Sequence, residues 1–335
     1  MAADSDRASL QAKDLGVKLF DKPPSGFRPE AATADDLKNF GVLQRPANDS
    51  SNEYWQLWQR MYSGGINPVV PQFKPRRIKT KILSPVGAPA AIQAEARALA
   101  ARVAPSPVYY QNWGGMGIAR GVHDAPVVQV SGTWTVPNLS VPTYVADGVK
   151  CINSVWIGID GFSPPGTDIL QAGVDLVASR QNGAISVQID AWWEWWQGDS
   201  FYFENFPVSP GDVISCTITC AAGGSTGTVI MANAVTGNHI SLLVPAPEGT
   251  KLIGNCVEWI VERQSPDVNS AYSPLSEFGS VFFDGAFAGT ATPPNAQQTL
   301  LPSAGQPIVM TADDKTTILA SPTLLGPNTL RIDRR

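Results

Sequence analysis

In the run Asp190-Ala191-Trp192-Trp193-Glu194-Trp195-Trp196, tryptophans flank a glutamate on both sides. Side chains of an extended strand point alternately to opposite faces. One face of this strand therefore carries Asp190, Trp192, Glu194 and Trp196, and the other carries Ala191, Trp193 and Trp195. The second set suits a core. The first does not, because a buried core does not tolerate unpaired carboxylates. The expectation is a solvated face on which acids and flat aromatics line a ligand groove.

Three further segments repeat the pattern. Val155, Ile157 and Ile159 alternate with Trp156, Gly158 and Asp160; Leu170, Ala172 and Val174 alternate with Gln171, Gly173 and Asp175. Val257, Trp259 and Val261 alternate with Glu258 and Glu262. If these strands share a sheet, its outer face is an acidic, aromatic-lined groove containing one amide.

Only 16% of residues are charged, while 30 Gly and 28 Pro are present, as expected for short strands joined by turns. No run of 18 apolar residues predicts a membrane helix, and the first residues lack the apolar stretch of a signal peptide. The four cysteines, Cys151, Cys216, Cys220 and Cys256, have no metal-ligand spacing and only His123 and His239 as company. No metal or cofactor is expected, and the thiols read as buried and free, with a Cys151–Cys256 bridge conceivable.

Charge divides the chain. Residues 1–105 carry 15 Lys+Arg against 10 Asp+Glu, and residues 106–335 carry 9 against 19. The basic part includes Phe73-Lys74-Pro75-Arg76-Arg77-Ile78-Lys79-Thr80-Lys81. Its most economical partner is the acidic groove of the same chain, rather than nucleic acid. Short helices are predicted near 33–38, over 52–62 with Tyr54, Trp55, Trp58 and Met61 on one side, and over 90–103. The boundary is set at Pro105-Ser106-Pro107, beyond which strands dominate. The predicted fold is all-β: an antiparallel two-sheet sandwich with one polar concave face at 106–335, behind a largely irregular and helical extension at 1–105.

Histidine-dependent nucleophiles and phosphate-binding glycine loops find no matching pattern. What remains is carboxylate chemistry. The series Trp156-Ile157-Gly158-Ile159-Asp160-Gly161, Ile169-Leu170-Gln171-Ala172-Gly173-Val174-Asp175, Asp190-Ala191-Trp192-Trp193-Glu194-Trp195 and Glu258-Trp259-Ile260-Val261-Glu262 resembles the glutamic peptidases (eqolisins). The resemblance runs in order through residues 108–335. It implies a jelly-roll-like β-sandwich of two bent antiparallel sheets, acid-active hydrolysis of polypeptides by a Gln171/Glu262 pair, secretion, and an N-terminal prosegment acting as an intramolecular inhibitor. The substrate-facing candidates are Trp156, Asp160, Asp175, Asp190, Trp192, Glu194 and Trp196. Two features depart from the family: the loop before Ile169 lacks the usual cysteine, and Trp193 and Trp196 stand where tyrosines are common. A monomer is expected, with no nucleic-acid or membrane partner. The alternative is a glycoside hydrolase or carbohydrate-binding sandwich that uses Trp platforms, with Glu194 and Glu262 as its carboxylate pair.

Overall fold

The computed structural model describes residues 10–46, 49, 51–78, 85–86, 105–162, 168–266, 270–290 and 298–335. The helix expected over 90–103, Lys79, Lys81 and residues 163–166 before Ile169 lie outside them. The N-terminal part contributes strands β1 (Lys18–Leu19), β2 (Asn67–Pro68) and β3 (Phe73–Pro75) and helices α1 (Ala34–Asn39) and α2 (Glu53–Tyr62). Thr33 caps α1 by accepting from the Asp36 amide, while Asp36 accepts from the Thr33 amide. Asn52 caps α2 by accepting from the amides of Tyr54 and Trp55.

The body begins with β4 (Val108–Tyr110), β5 (Trp113–Ala119), β6 (Val127–Thr135), β7 (Lys150–Ile159), β8 (Ile169–Gln181) and β9 (Ala184–Trp196). It continues with β10 (Ser200–Pro207), β11 (Val213–Cys220), β12 (Thr226–Asn233), β13 (Asn238–Pro245) and β14 (Cys256–Arg263). The last strands are β15 (Ser280–Thr290), β16 (Thr299–Leu300), β17 (Gln306–Thr311), β18 (Ile318–Gly326) and β19 (Thr329–Arg334). Sequence periodicity marks most of these but not β10, whose Ser-Phe-Tyr-Phe-Glu-Asn-Phe-Pro lacks clean alternation.

Two antiparallel sheets make a β-sandwich. In the first, neighbours run β10-β9-β8-β7-β14-β5-β17. In the second they run β19-β15-β6-β11-β12-β13, and β18 bridges β17 to β19. The core lies between them. Val155, Ile157, Leu170, Val174, Trp193, Trp195 and Trp259 of the first sheet share it with Val130, Trp134, Ile218, Val229 and Phe283 of the second. The Trp259 indole donates to the Ser131 carbonyl at 2.9 Å, tying sheet to sheet. All four cysteines are buried and free, so no Cys151–Cys256 bridge forms.

The N-terminal part is built into this body. β1 and β2 pair with β13, and β3 adds itself antiparallel to the open edge of β10. Helix α2 turns Leu57, Trp58, Met61 and Tyr62 inward, against Ile230, Ala232 and Phe287 of the second sheet. Tyr54 and Trp55 stay only partly buried, so the apolar stripe sits nearer the end of the helix than its sequence spacing suggests. Trp58 donates to the Leu43 carbonyl at 2.9 Å, and Tyr62 accepts from the Leu43 amide at 3.2 Å. Trp58→Ala should cost about 3–5 kcal/mol, measured by urea unfolding. A loss below about 1 kcal/mol would mean that this segment is loosely attached.

Candidate active site

Register places the candidate residues on one grid. Directly opposed residues of antiparallel neighbours share a face, so β14, β7, β8 and β9 form three successive rows. The first is Glu258, Gly158, Gln171 and Glu194; the second is Ile260, Trp156, Gly173 and Trp192; the third is Glu262, Ser154, Asp175 and Asp190. Glycine is required inside this grid. A Cβ at Gly173 would lie 2.1 Å from the Val155 carbonyl oxygen and 2.6 Å from the Trp156 Cβ, and one at Gly158 would lie 2.8 Å from a Glu258 carboxyl oxygen.

Alternation assigns the face correctly, but the face is not solvated as expected. Gln171, Asp175, Glu262 and Glu258 are 0% exposed, and Glu194 is 1% exposed. A side chain from the N-terminal segment helps to seal the face. Beyond β3, Arg76 enters the groove: its Nε lies 2.8 Å from Asp175 Oδ2 and its Nη2 lies 2.9 Å from Oδ1. Its Nη1 stands 3.6 Å from Glu194, and the guanidinium lies 4.0 Å over the Trp192 ring. Burial disfavours the Arg76 charge, but Asp175 and Glu194 outweigh it and hold the cation. Tyr202 donates to Asp175 at 2.8 Å, and Ser154 also donates to it.

Gln171 Nε2 donates to Glu194 at 2.8 Å, which fixes the plane of the amide. Glu262 accepts from the Trp156 indole at 2.9 Å and from Asn112 Nδ2 at 3.2 Å. Burial pushes the Glu262 carboxyl up to about 8, although the Arg76 charge pulls in the opposite direction. Glu258 is held well above the usual carboxylate range by burial and then by Asp160. Neither of its oxygens has a hydrogen-bond partner among the described residues, and its burial favours the neutral form. Asp190 is raised by burial, with Gln188 donating to it as a partial offset.

The other candidates separate. Trp156 and Trp192 are fully buried within the grid, and Trp196 packs beside them, partly buried. Asp160 leaves the face. It lies just past the end of β7 with a positive φ of 68°, and accepts from the amides of Ile253, Gly254 and Asn255 at 2.6, 3.1 and 2.8 Å. Its carboxylate organises that loop, because the αL turn carries the side chain off the strand alternation that would place it in the groove. Sequence reading does not single out Arg76 from its basic run, nor Asn112 as a partner of Glu262. The proline before Arg76 is the available signal for the first, since it points to an extended arm.

A sequence model described as the Peptidase A4 family matches residues 111–333, which include every grid residue. The chain belongs to the Peptidase A4 family. It is 30% identical over 195 residues to Aspergillopepsin-2 of Aspergillus niger, an alignment covering 54% of this chain and 64% of that relative's length. Among solved structures, scytalido-glutamic peptidase bound to a transition-state analogue inhibitor superposes with a TM-score of 0.53 at 22% identity, over 67% of this chain and 98% of the other. SCP-B, an eqolisin peptidase in complex with the tripeptide Ala-Ile-His, gives 0.51 at 22% identity over the same shares. These two likenesses show the sandwich fold, and the family match bears out the resemblance read from the motifs.

Burial of Glu262 has a measurable consequence. A carboxyl raised by folding contributes stability that is fully present below its unfolded value of 4.5 and is lost as pH rises through about 8. His239, buried and lowered to about 4, works the opposite way, losing stability as pH falls from 6.5. Between pH 6.5 and 8.5 the carboxyl effect dominates, and the Glu262 share is about 2 kcal/mol. Urea unfolding should show the wild-type chain losing stability across that interval, with Glu262→Gln losing less by this amount. Equal slopes would mean that Glu262 is already hydrated.

Proposed function

We propose that this chain is an acid-active endopeptidase made in an inhibited form, with Gln171 and Glu262 as its reacting pair. The observation that carries the reading is the seating of Arg76 across the Gln171–Glu194 and Asp175–Glu262 parts of one buried face. An ionised Glu262 takes a proton from the attacking water and returns it to the leaving amine. The Gln171 amide donates to the developing oxyanion and stays neutral at every working pH. Trp156 orients Glu262, and Glu194 orients Gln171. Trp192 and Trp196 supply flat walls for the substrate.

In the covered chain Glu262 is protonated through the acid range and cannot serve as a base. Uncovering rehydrates the carboxyl and removes the largest cause of its raised pKa. The base then becomes ionised in acid, where such an enzyme works. The carbohydrate reading has no comparable support: the family match points to peptides, and the Glu194 carboxylate is taken up by Gln171 and Arg76.

Incubation at pH 3 with denatured casein should generate new amino termini, while β-glucan should yield no reducing ends. Among the described residues no His, Cys, Asp or Glu side chains are grouped to hold a metal ion, so EDTA should leave the rate unchanged. An optimum above pH 7, or loss of activity with chelator, would refute the dyad chemistry.

A further inference from the structure

The seat of Arg76 has the form of a peptide-recognition site, and we propose that it is the enzyme's subsite for an arginine side chain of the substrate, with Arg76 occupying it as an internal stand-in. The inference rests on the peptidase reading for the word substrate, but the pocket itself can be tested without it. Three observations carry it.

The first is how the arm docks. Residues 73–75 lie antiparallel to β10, with Pro75 opposite Phe201, Lys74 opposite Tyr202 and Phe73 opposite Phe203. The Arg76 amide then donates to the Ser200 carbonyl at 2.8 Å, and Ser200 Oγ donates to the Arg76 carbonyl at 3.2 Å. An extended chain added to an open sheet edge, held by its main chain and read through its side chains, is a general mode of peptide recognition. β10 offers the same edge to any extended polypeptide once the arm has left.

The second is the chemistry of the pocket. Asp175 engages the guanidinium through two parallel N–H···O contacts, Glu194 supplies a second negative charge, and Trp192 supplies a flat face for stacking. A planar fork against a carboxylate and a ring selects arginine over lysine, whose ammonium can neither bridge two oxygens in plane nor stack in the same way.

The third is where the pocket's parts come from. Ser154, Asp175, Trp192, Glu194 and Tyr202 all belong to β7–β10 of the body, and none to the N-terminal arm. Two carboxylates held on neighbouring strands of one face favour a cation between them, whether the face is dry or rehydrated. Once the arm is displaced, the site therefore favours a replacement positive charge, and an incoming arginine would lie beside Gln171 and Glu262.

The test uses the full chain with Arg76→Ala, and Arg76→Gln as a second variant. Nα-acetyl-arginine amide, the matching lysine amide and the uncharged citrulline amide are titrated by calorimetry at pH 6. The arginine probe should bind either variant at least 10-fold more tightly than citrulline and more tightly than lysine. It should not bind the wild-type chain, whose pocket is filled, or the Arg76→Ala/Asp175→Asn double variant. If both single variants fail to fold alone, the arginine probe should restore folding, read by circular dichroism, where citrulline does not. Equal behaviour of the arginine and citrulline probes, by binding or by rescue, would overturn the proposal. A separate measurement compares cleavage of two octapeptides differing only in arginine or citrulline. Cleavage of neither, with arginine still bound selectively, would count against the peptidase reading and leave the pocket standing.

Discussion

Glu262→Gln should lower peptide hydrolysis by about 100- to 10,000-fold, the usual loss when a positioned acid–base group is removed. Gln171→Glu should cost about 100- to 1,000-fold, the scale for an oxyanion donor. The two defects differ in kind. Glutamine at position 262 can still accept from the Trp156 indole, so its defect should fall on kcat and leave KM nearly unchanged. The carboxylate introduced by Gln171→Glu would face Glu194 at the position where Gln171 now donates at 2.8 Å, adding like-charge repulsion to the loss of the donor. That variant should recover part of its activity at the most acidic pH, where the introduced carboxyl is protonated and can donate again. Initial rates with a quenched-fluorescent peptide across pH 2.5–6, with circular dichroism as the control for folding, measure both. Near-normal turnover by a folded Glu262→Gln chain would assign the base elsewhere, with Glu258, four residues earlier on the same face, as the next candidate.

The face that carries these candidate residues is legible in the sequence because strand alternation is a geometric constraint. Trp193 and Trp195 are buried in the sandwich core and Glu194 lies on the opposite side, as the sequence run required. The catalytic candidates followed from the same rule together with the family resemblance. The rule could not report what covers the face, because burial there depends on an arm 99 residues away in sequence, counted from Arg76 to Asp175. The charge asymmetry identified the arm as a segment, yet only a three-dimensional register against β10 shows that Arg76, rather than Lys74 or Arg77, reaches Asp175. Asp160 illustrates the opposite failure. A single residue with positive φ at a strand end breaks the alternation, and nothing in Ile159-Asp160-Gly161 distinguishes a groove acid from one that gathers three loop amides.

The covered chain should open only at the acid end of the carboxylate range, because two proton-linked effects oppose each other. Burial of Glu262 in its neutral form stabilises the cover as pH falls from about 8, and this gain is complete near the carboxyl's ordinary value of 4.5. Acid weakens the negative charge of the groove as a whole, and this acts in the other direction. Arg76 keeps its charge throughout, and a buried cation with weakened partners costs up to about 3–5 kcal/mol. The cover is therefore predicted to hold at pH 5 and to release at pH 3. Incubation at pH 3 should yield a stable fragment starting close to Pro105-Ser106-Pro107, with activity rising as it accumulates, followed by N-terminal sequencing and peptide hydrolysis on the same samples. Arg76→Ala should be active without the acid step at pH 5, where the wild-type chain is silent. Replacing Lys74, Arg77, Lys79 and Lys81 by Ser, with Arg76 kept, should leave the acid step in place. Full activity of the uncut wild-type chain at pH 5 would show that the arm is a permanent part of the working enzyme, with Arg76 a fixed member of its site.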